Sequence, residues 1–131
     1  MKEVFFIFLG SGLGGVLRYL ISFSGENIAK FAPNFNANFG TFPFATFIVN
    51  LFGSFLLGLI LAIFGKNNAL QSELFLFLSV GFCGGFTTFS TFCKESLNLL
   101  QNGLYCMFAL YAVLSVIFGI LAIFFGFYLI K

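Results

Sequence analysis

The sequence has no histidine, no tryptophan and no aspartate, and its only carboxylate side chains are Glu3, Glu26, Glu73 and Glu95. Metal hydrolysis, a Ser-His-Asp triad or a proton relay would need acids, bases and ligands that are missing here, so an enzyme is the least favoured class. Charge of either sign is scarce. Only 8% of the 131 residues are charged, against about 25% in a soluble globular domain, too few to clothe a surface for water. A net charge of +2 is too small to point to a nucleic-acid partner or a polybasic membrane patch. The three cysteines, Cys83, Cys93 and Cys106, are odd in number and lack C-x-x-C spacing. Each sits in or near an apolar segment, so they read as buried, unpaired thiols.

What the chain does have is apolar length. Hydrophobic residues make up 60% of it, including 24 phenylalanines. Several apolar stretches are long enough to cross a bilayer core of about 30 Å. The expectation is one all-α membrane domain over residues 1–131. Its four transmembrane helices are placed at about 4–23, 42–64, 73–100 and 104–130. Lys2 followed by Val4 to Leu9 has the look of a signal peptide, but the apolar run continues past Gly14 and Gly15 to Phe23 with no clear cleavage site. It reads as a retained first helix. Residues 24–41 read as a polar loop with room for a short interfacial helix, 65–71 as a short polar connection and 101–103 as a tight turn. Pro43 suits the first turn of span two, where a missing N–H costs nothing. Gly81, Gly84 and Gly85 in the middle of span three predict a break there.

An even number of spans puts both termini on one side. Lys2, Lys66 and Lys131 then face Arg18, Lys30 and Lys94, three cations against three. Cationic bias normally sets orientation, and its absence predicts insertion in both orientations. Gly10 with Gly14, and Gly81 with Gly85, form small-x-x-x-small pairs suited to close helix packing, while Gly119 and Gly126 share a face of span four.

Polar groups inside apolar spans are costly and face protein or water. Thr46, Asn50 and Ser54 recur every four residues and so stack on one helix face. This is either an interhelical hydrogen-bond stripe or a pore lining. Tyr111 and Ser115 repeat that spacing in span four. The densest group is Gly81-Phe82-Cys83-Gly84-Gly85-Phe86-Thr87-Thr88-Phe89-Ser90-Thr91-Phe92, where adjacent glycines precede four hydroxyl residues. Carbonyls freed at a break can coordinate a cation. Phe89 and Phe92 are three apart, hence neighbours, and phenyl edges are electropositive. Ring edges, hydroxyls and one amide can strip water from a small anion without trapping it. Arg18 reads as a structural ion pair, as a side chain snorkelling to the headgroups, or as an anion attractor at a vestibule, and Glu95, beside Lys94, as interfacial.

On these residues the chain resembles the CrcB/Fluc family of fluoride channels. The likeness lies in Gly14-Gly15-Val16-Leu17-Arg18-Tyr19, in Phe42-Pro43 through Asn50-Leu51-Phe52-Gly53-Ser54 to Gly58, and above all in Gly84 to Phe92. Span four matches only through Tyr111 and Ser115. The resemblance implies an antiparallel, dual-topology homodimer in the cell (inner) membrane. Its interface would enclose two passive fluoride pathways that export cytoplasmic fluoride. By the same resemblance, Asn50, Phe89, Phe92, Tyr111, Ser115 and Thr46 would line those pathways. Span three would be broken mid-membrane and bind a structural sodium ion through the backbone carbonyls of Gly84 and Thr87, with Arg18 vestibular or structural. Ala45, where glycine is common, and Cys93-Lys94, where small or apolar residues are usual, depart from the pattern and bear on entrance electrostatics. The rival readings are a small multidrug/proton antiporter, which would need a carboxylate deep in the membrane, and a non-transport membrane scaffold, which leaves the Asn50 stripe and the threonine-rich motif unexplained.

Overall fold

The computed structural model describes residues 1–31, 42–66 and 69–130, with side chains described outside 25–31. The helices are α1 (Lys2–Phe31), α2 (Phe44–Lys66), α3 (Glu73–Leu76), a π-helical stretch (Phe77–Cys83), α4 (Gly84–Phe86), α5 (Phe89–Gln101) and α6 (Tyr105–Ile130). Four helical runs, 2–24, 44–66, 73–101 and 105–130, are long and apolar enough to cross a membrane. Their outward faces carry large apolar side chains such as Phe8, Val16, Ile48, Phe124 and Leu129, as a lipid-facing surface requires.

The helix ends follow local chemistry. Pro43 lies just ahead of α2, and its carbonyl accepts from Phe47 N at 3.1 Å. Ser72 caps α3, its side chain accepting from Phe75 N at 3.2 Å. The 101–103 turn is a Schellman motif: Leu104 N donates to Leu99 O at 2.9 Å, Gly103 N donates to Leu100 O at 3.1 Å, and Gly103 has φ +71°. One boundary differs from expectation. α1 continues through residues 24–31, so the first part of the expected polar loop is helical. Residues 32–41 and 67–68 lie outside the described residues.

Two parallel helix pairs make the core. In the first, α1 lies against the π-helical stretch and α4. A Cβ on Gly81 would come within 3.0 Å of both Gly10 Cα and Ile7 O, and one on Gly14 within 2.7 Å of Phe86 N. The two small-residue pairs therefore face each other, and backbone meets backbone. This also relocates the break. Gly81 sits in the π-helical stretch and Gly84 and Gly85 in α4, because Gly81 and Gly85 serve close approach to α1. The chain leaves helical geometry two residues later, at Thr87 (φ −76°, ψ 159°) and Thr88 (φ −149°, ψ 122°).

In the second pair, α6 packs along α2, with Gly58 against Ile123 and Gly126 against Phe55. Lys66 Nζ bonds Ile130 O where the two C-terminal ends meet. The cysteine expectation needs correction. Cys83 is buried, but Cys93 and Cys106 are exposed on the single chain because they fall on outward faces of α5 and α6; all three are free thiols.

Gly14→Val should force backbone apart at the first crossing. Overpacking of this kind costs roughly 1–3 kcal/mol. Thermal unfolding in detergent should show a lowered midpoint, whereas Gly12→Val, at a position with no neighbour within 4 Å, should leave it unchanged.

Candidate functional site

The i, i+4 spacing of α2 aims Thr46, Asn50 and Ser54 at span three. Asn50 meets the non-helical residues directly. Its Nδ2 donates to Thr88 O at 3.0 Å, and its Oδ1 accepts from Thr88 N at 2.7 Å. A side-chain amide carries the same donor and acceptor as a peptide, so Asn50 replaces the helical partners that Thr88 has lost. Thr88 in turn caps α5. Its Oγ1 accepts from Thr91 N at 3.2 Å and donates to Thr91 Oγ1 at 3.1 Å. Thr87 folds back on Cys83 O through both its backbone N and its hydroxyl, each at 2.9 Å. Arg18 Nε donates to Gly85 O at 3.1 Å. The first-helix cation is thus a partner of the span-three backbone.

A cleft of about 350 Å³ opens beside this break. Asn50, Ser54, Gly84, Thr87, Phe89, Phe92 and Ser115 are among the residues that line it, and none of the described lining residues is charged. Ser115 Oγ is buried and has no hydrogen-bond partner among the described residues. Phe89 is 78% exposed on the single chain. Its ring stacks on Phe92 at 5.7 Å, and Phe92 lies 5.0 Å from the Tyr111 ring. Phe42 stands against Tyr111 at 5.3 Å and 79°. A row of four rings therefore runs from the cleft to the start of α2.

Thr46 and Tyr111, the other two expected lining residues, are buried at 3% and 0% exposure on the single chain, and both donate to one carboxylate. Thr46 Oγ1 reaches Glu95 Oε1 at 2.7 Å and Tyr111 OH reaches Glu95 Oε2 at 2.8 Å. Asn50, Phe89, Phe92, Ser115, Gly84 and Thr87 share the cleft; Thr46 and Tyr111 meet beside it; Arg18 reaches the break and is absent from the cleft wall. Glu95 is the residue that sequence reasoning missed. Its signal was position: it lies three residues after Phe92, on the same helix face, within a span that has few polar partners to offer.

Thr46→Val or Tyr111→Phe should strand one oxygen of a part-buried carboxylate. Each should lower stability by about 1–3 kcal/mol, read as a reduced unfolding midpoint. The double variant should cost less than the sum, since the two hydroxyls share one acceptor.

Comparison with known proteins places this geometry. Residues 5–127 match the family model described as CrcB-like protein, Camphor Resistance (CrcB). The chain is 46% identical over 129 residues to the Fluoride-specific ion channel FluC of Bacteroides fragilis, covering 98% of this chain and 96% of that one. It is 42% identical over 131 residues to the protein of the same name from Flavobacterium psychrophilum, covering 100% of this chain and 98% of the other. Against that from Gloeothece citriformis it is 39% identical, with the same coverage. These relatives are named as ion channels, not as enzymes. With four helices able to cross a membrane and a match along nearly its whole length, this multi-pass membrane protein belongs to the CrcB family.

Proposed function

We propose that this chain forms a passive, fluoride-selective channel that releases fluoride from the cytoplasm, as the names of its relatives suggest. The observation that carries the reading is the set of groups the cleft wall offers an ion: phenyl rings, hydroxyls and one amide among aliphatic residues, with no charged side chain among the described residues. Electropositive ring edges and O–H and N–H donors can replace part of an anion's hydration. Without a countercharge the anion is not held, and conduction needs that balance. The unpartnered Ser115 hydroxyl is a donor ready for such an ion or its water. No carboxylate is among the described residues that line the cleft, and Glu95 beside it is engaged by Thr46 and Tyr111.

Asn50, Phe89, Phe92 and Ser115 line the proposed pathway. Thr46 and Tyr111 continue it beside Phe92; their hydroxyls donate to Glu95, so on this stretch the ion is met by ring edges rather than by these O–H groups. Hydrogen fluoride crosses membranes as the neutral acid and dissociates in a near-neutral cytoplasm. A passive pore in the inner membrane lets the trapped anion leave down its gradient, with neither ATP nor a coupled proton.

The functional unit in this reading is an antiparallel homodimer with two pathways and with each break at mid-membrane depth. The open side of the cleft and the exposure of Phe89 support it, because one copy supplies only part of an enclosure. The three-against-three balance of cations supports dual topology. A structural sodium ion fits the donors. No cluster of three His, Cys, Asp or Glu exists among the described residues, so a cation would need carbonyl oxygens. Two are available: the i+4 donor of Gly84 O, Thr88 N, is engaged by Asn50, and that of Thr87 O, Thr91 N, by the Thr88 hydroxyl. Bound there, sodium would neutralise carbonyl dipoles and tie the two breaks together.

Liposomes containing the purified chain should release fluoride quickly and retain chloride. Phe89→Ile and Phe92→Ile keep apolar bulk but remove the ring edge. Each should lower fluoride release by tenfold or more while the dimer persists in size-exclusion chromatography; undiminished release from both variants would refute the ring-edge mechanism.

A further inference from the structure

On the other helices the exposed positions between the ends are almost all apolar, but α5 is different. Ser90, Lys94, Asn98 and Gln101 are exposed, and their spacing of four, four and three places them in one stripe, bordered by the exposed Phe89, Cys93 and Leu97. The Thr46–Glu95–Tyr111 contacts lie on a different face of the same helix. Lys94 has no partner among the described residues. It lies six residues beyond Thr88, roughly 9 Å along the axis, and Gln101 is about as far on its other side. Lys94 lies about two turns from the C-terminal end of α5, so lipid on this face would oblige its ammonium group to snorkel to the headgroups, at a cost. Water on this face removes that cost.

We propose that the Ser90–Lys94–Asn98 face of α5 lines a water-filled approach to the cleft, and that Lys94 is the charge that concentrates fluoride there. This rests on the fluoride reading and extends it to the rate of entry. An anion nearing the cleft along α5 meets the Glu95 carboxylate, whose field repels it. Lys94, adjacent in sequence and roughly 100° around the helix, offsets that field on the wet side. The cleft wall itself stays uncharged, so Lys94 raises the local concentration of anions without holding one at the narrow part. A charge with this role acts through the aqueous field and is screened by salt.

The test is fluoride release from liposomes of neutral lipid at about 10 mM and about 1 M of an impermeant salt, where the screening lengths are about 30 Å and 3 Å. Lys94→Glu changes the charge by two units. Acting at roughly 10 Å through water, it should slow release about threefold at low salt. At high salt the difference should vanish. Lys94→Gln should fall between the two, and Lys94→Arg should match the parent. Equal low-salt rates for the parent and Lys94→Glu would overturn the proposal, as would a defect that high salt leaves unchanged. A parent chain that releases no fluoride would overturn the underlying reading as well. Wetness is read separately, without transport. In a Cys93→Ser, Cys106→Ser background, Lys94→Cys should react readily with a charged, membrane-impermeant thiol reagent. Failure to react would mean that lipid or protein covers this face, and would overturn the proposal whatever the flux.

Discussion

The arrangement depends on the two hydrogen bonds that Asn50 exchanges with the backbone of Thr88. A helix cannot leave its own hydrogen-bond ladder inside an apolar environment unless something else satisfies the freed groups. Here a side chain from α2 supplies both donor and acceptor. Once Thr88 is held in extended geometry, its hydroxyl is free to cap α5, and Phe89 and Phe92 open the new helix with their rings toward the cleft. The carbonyls of Gly84 and Thr87 lose their usual donors for the same reason. Cation binding and ring placement, as proposed, are thus two consequences of one amide contact.

That contact needs span three to be held from behind. The backbone-to-backbone crossing of α1 with the π-helical stretch and α4 does this, with Gly10 and Gly14 opposite Gly81 and Gly85. Arg18 adds a bond to Gly85 O. On the front, α6 is carried by α2 through Gly58 and Gly126, and Ser115 and Tyr111 reach the cleft and Glu95 along with it. The parts of the proposed pathway are therefore borne by the α2–α6 pair and by a span three braced on α1. A change in either crossing moves one wall against the other.

Much of this was legible in the sequence. Hydropathy located the four long helices to within a few residues, apart from the helical extension of α1 to Phe31. Four-residue spacing put Asn50 and Ser54 on a common face, and the Phe-x-x-Phe spacing put two rings in contact. The break falls within the glycine- and hydroxyl-rich run from Gly81 to Phe92, but not at its glycines. Gly81 and Gly85 are needed for close approach to α1 and remain helical, and the residues that leave the helix are threonines whose hydroxyls can satisfy what the backbone gives up. The contacts of Glu95 were not legible from its position near the end of a span. Its two partners, Thr46 and Tyr111, come from other helices, and no local pattern reveals a tertiary contact. Cys93 and Cys106 were misread because an apolar segment in a membrane protein has an outward face as apolar as its core.

The central claim is that Asn50 holds the break open by taking the place of backbone partners. Amide hydrogen exchange at Thr88, followed by NMR on the intact chain in lipid nanodiscs, tests it most directly. In the parent the Thr88 N–H should be protected. In Asn50→Ala it should exchange much faster, while amides in the middle of α2 and α6 keep their parent rates. A Thr88 amide that is unprotected in the parent, or equally protected in both chains, would contradict the account.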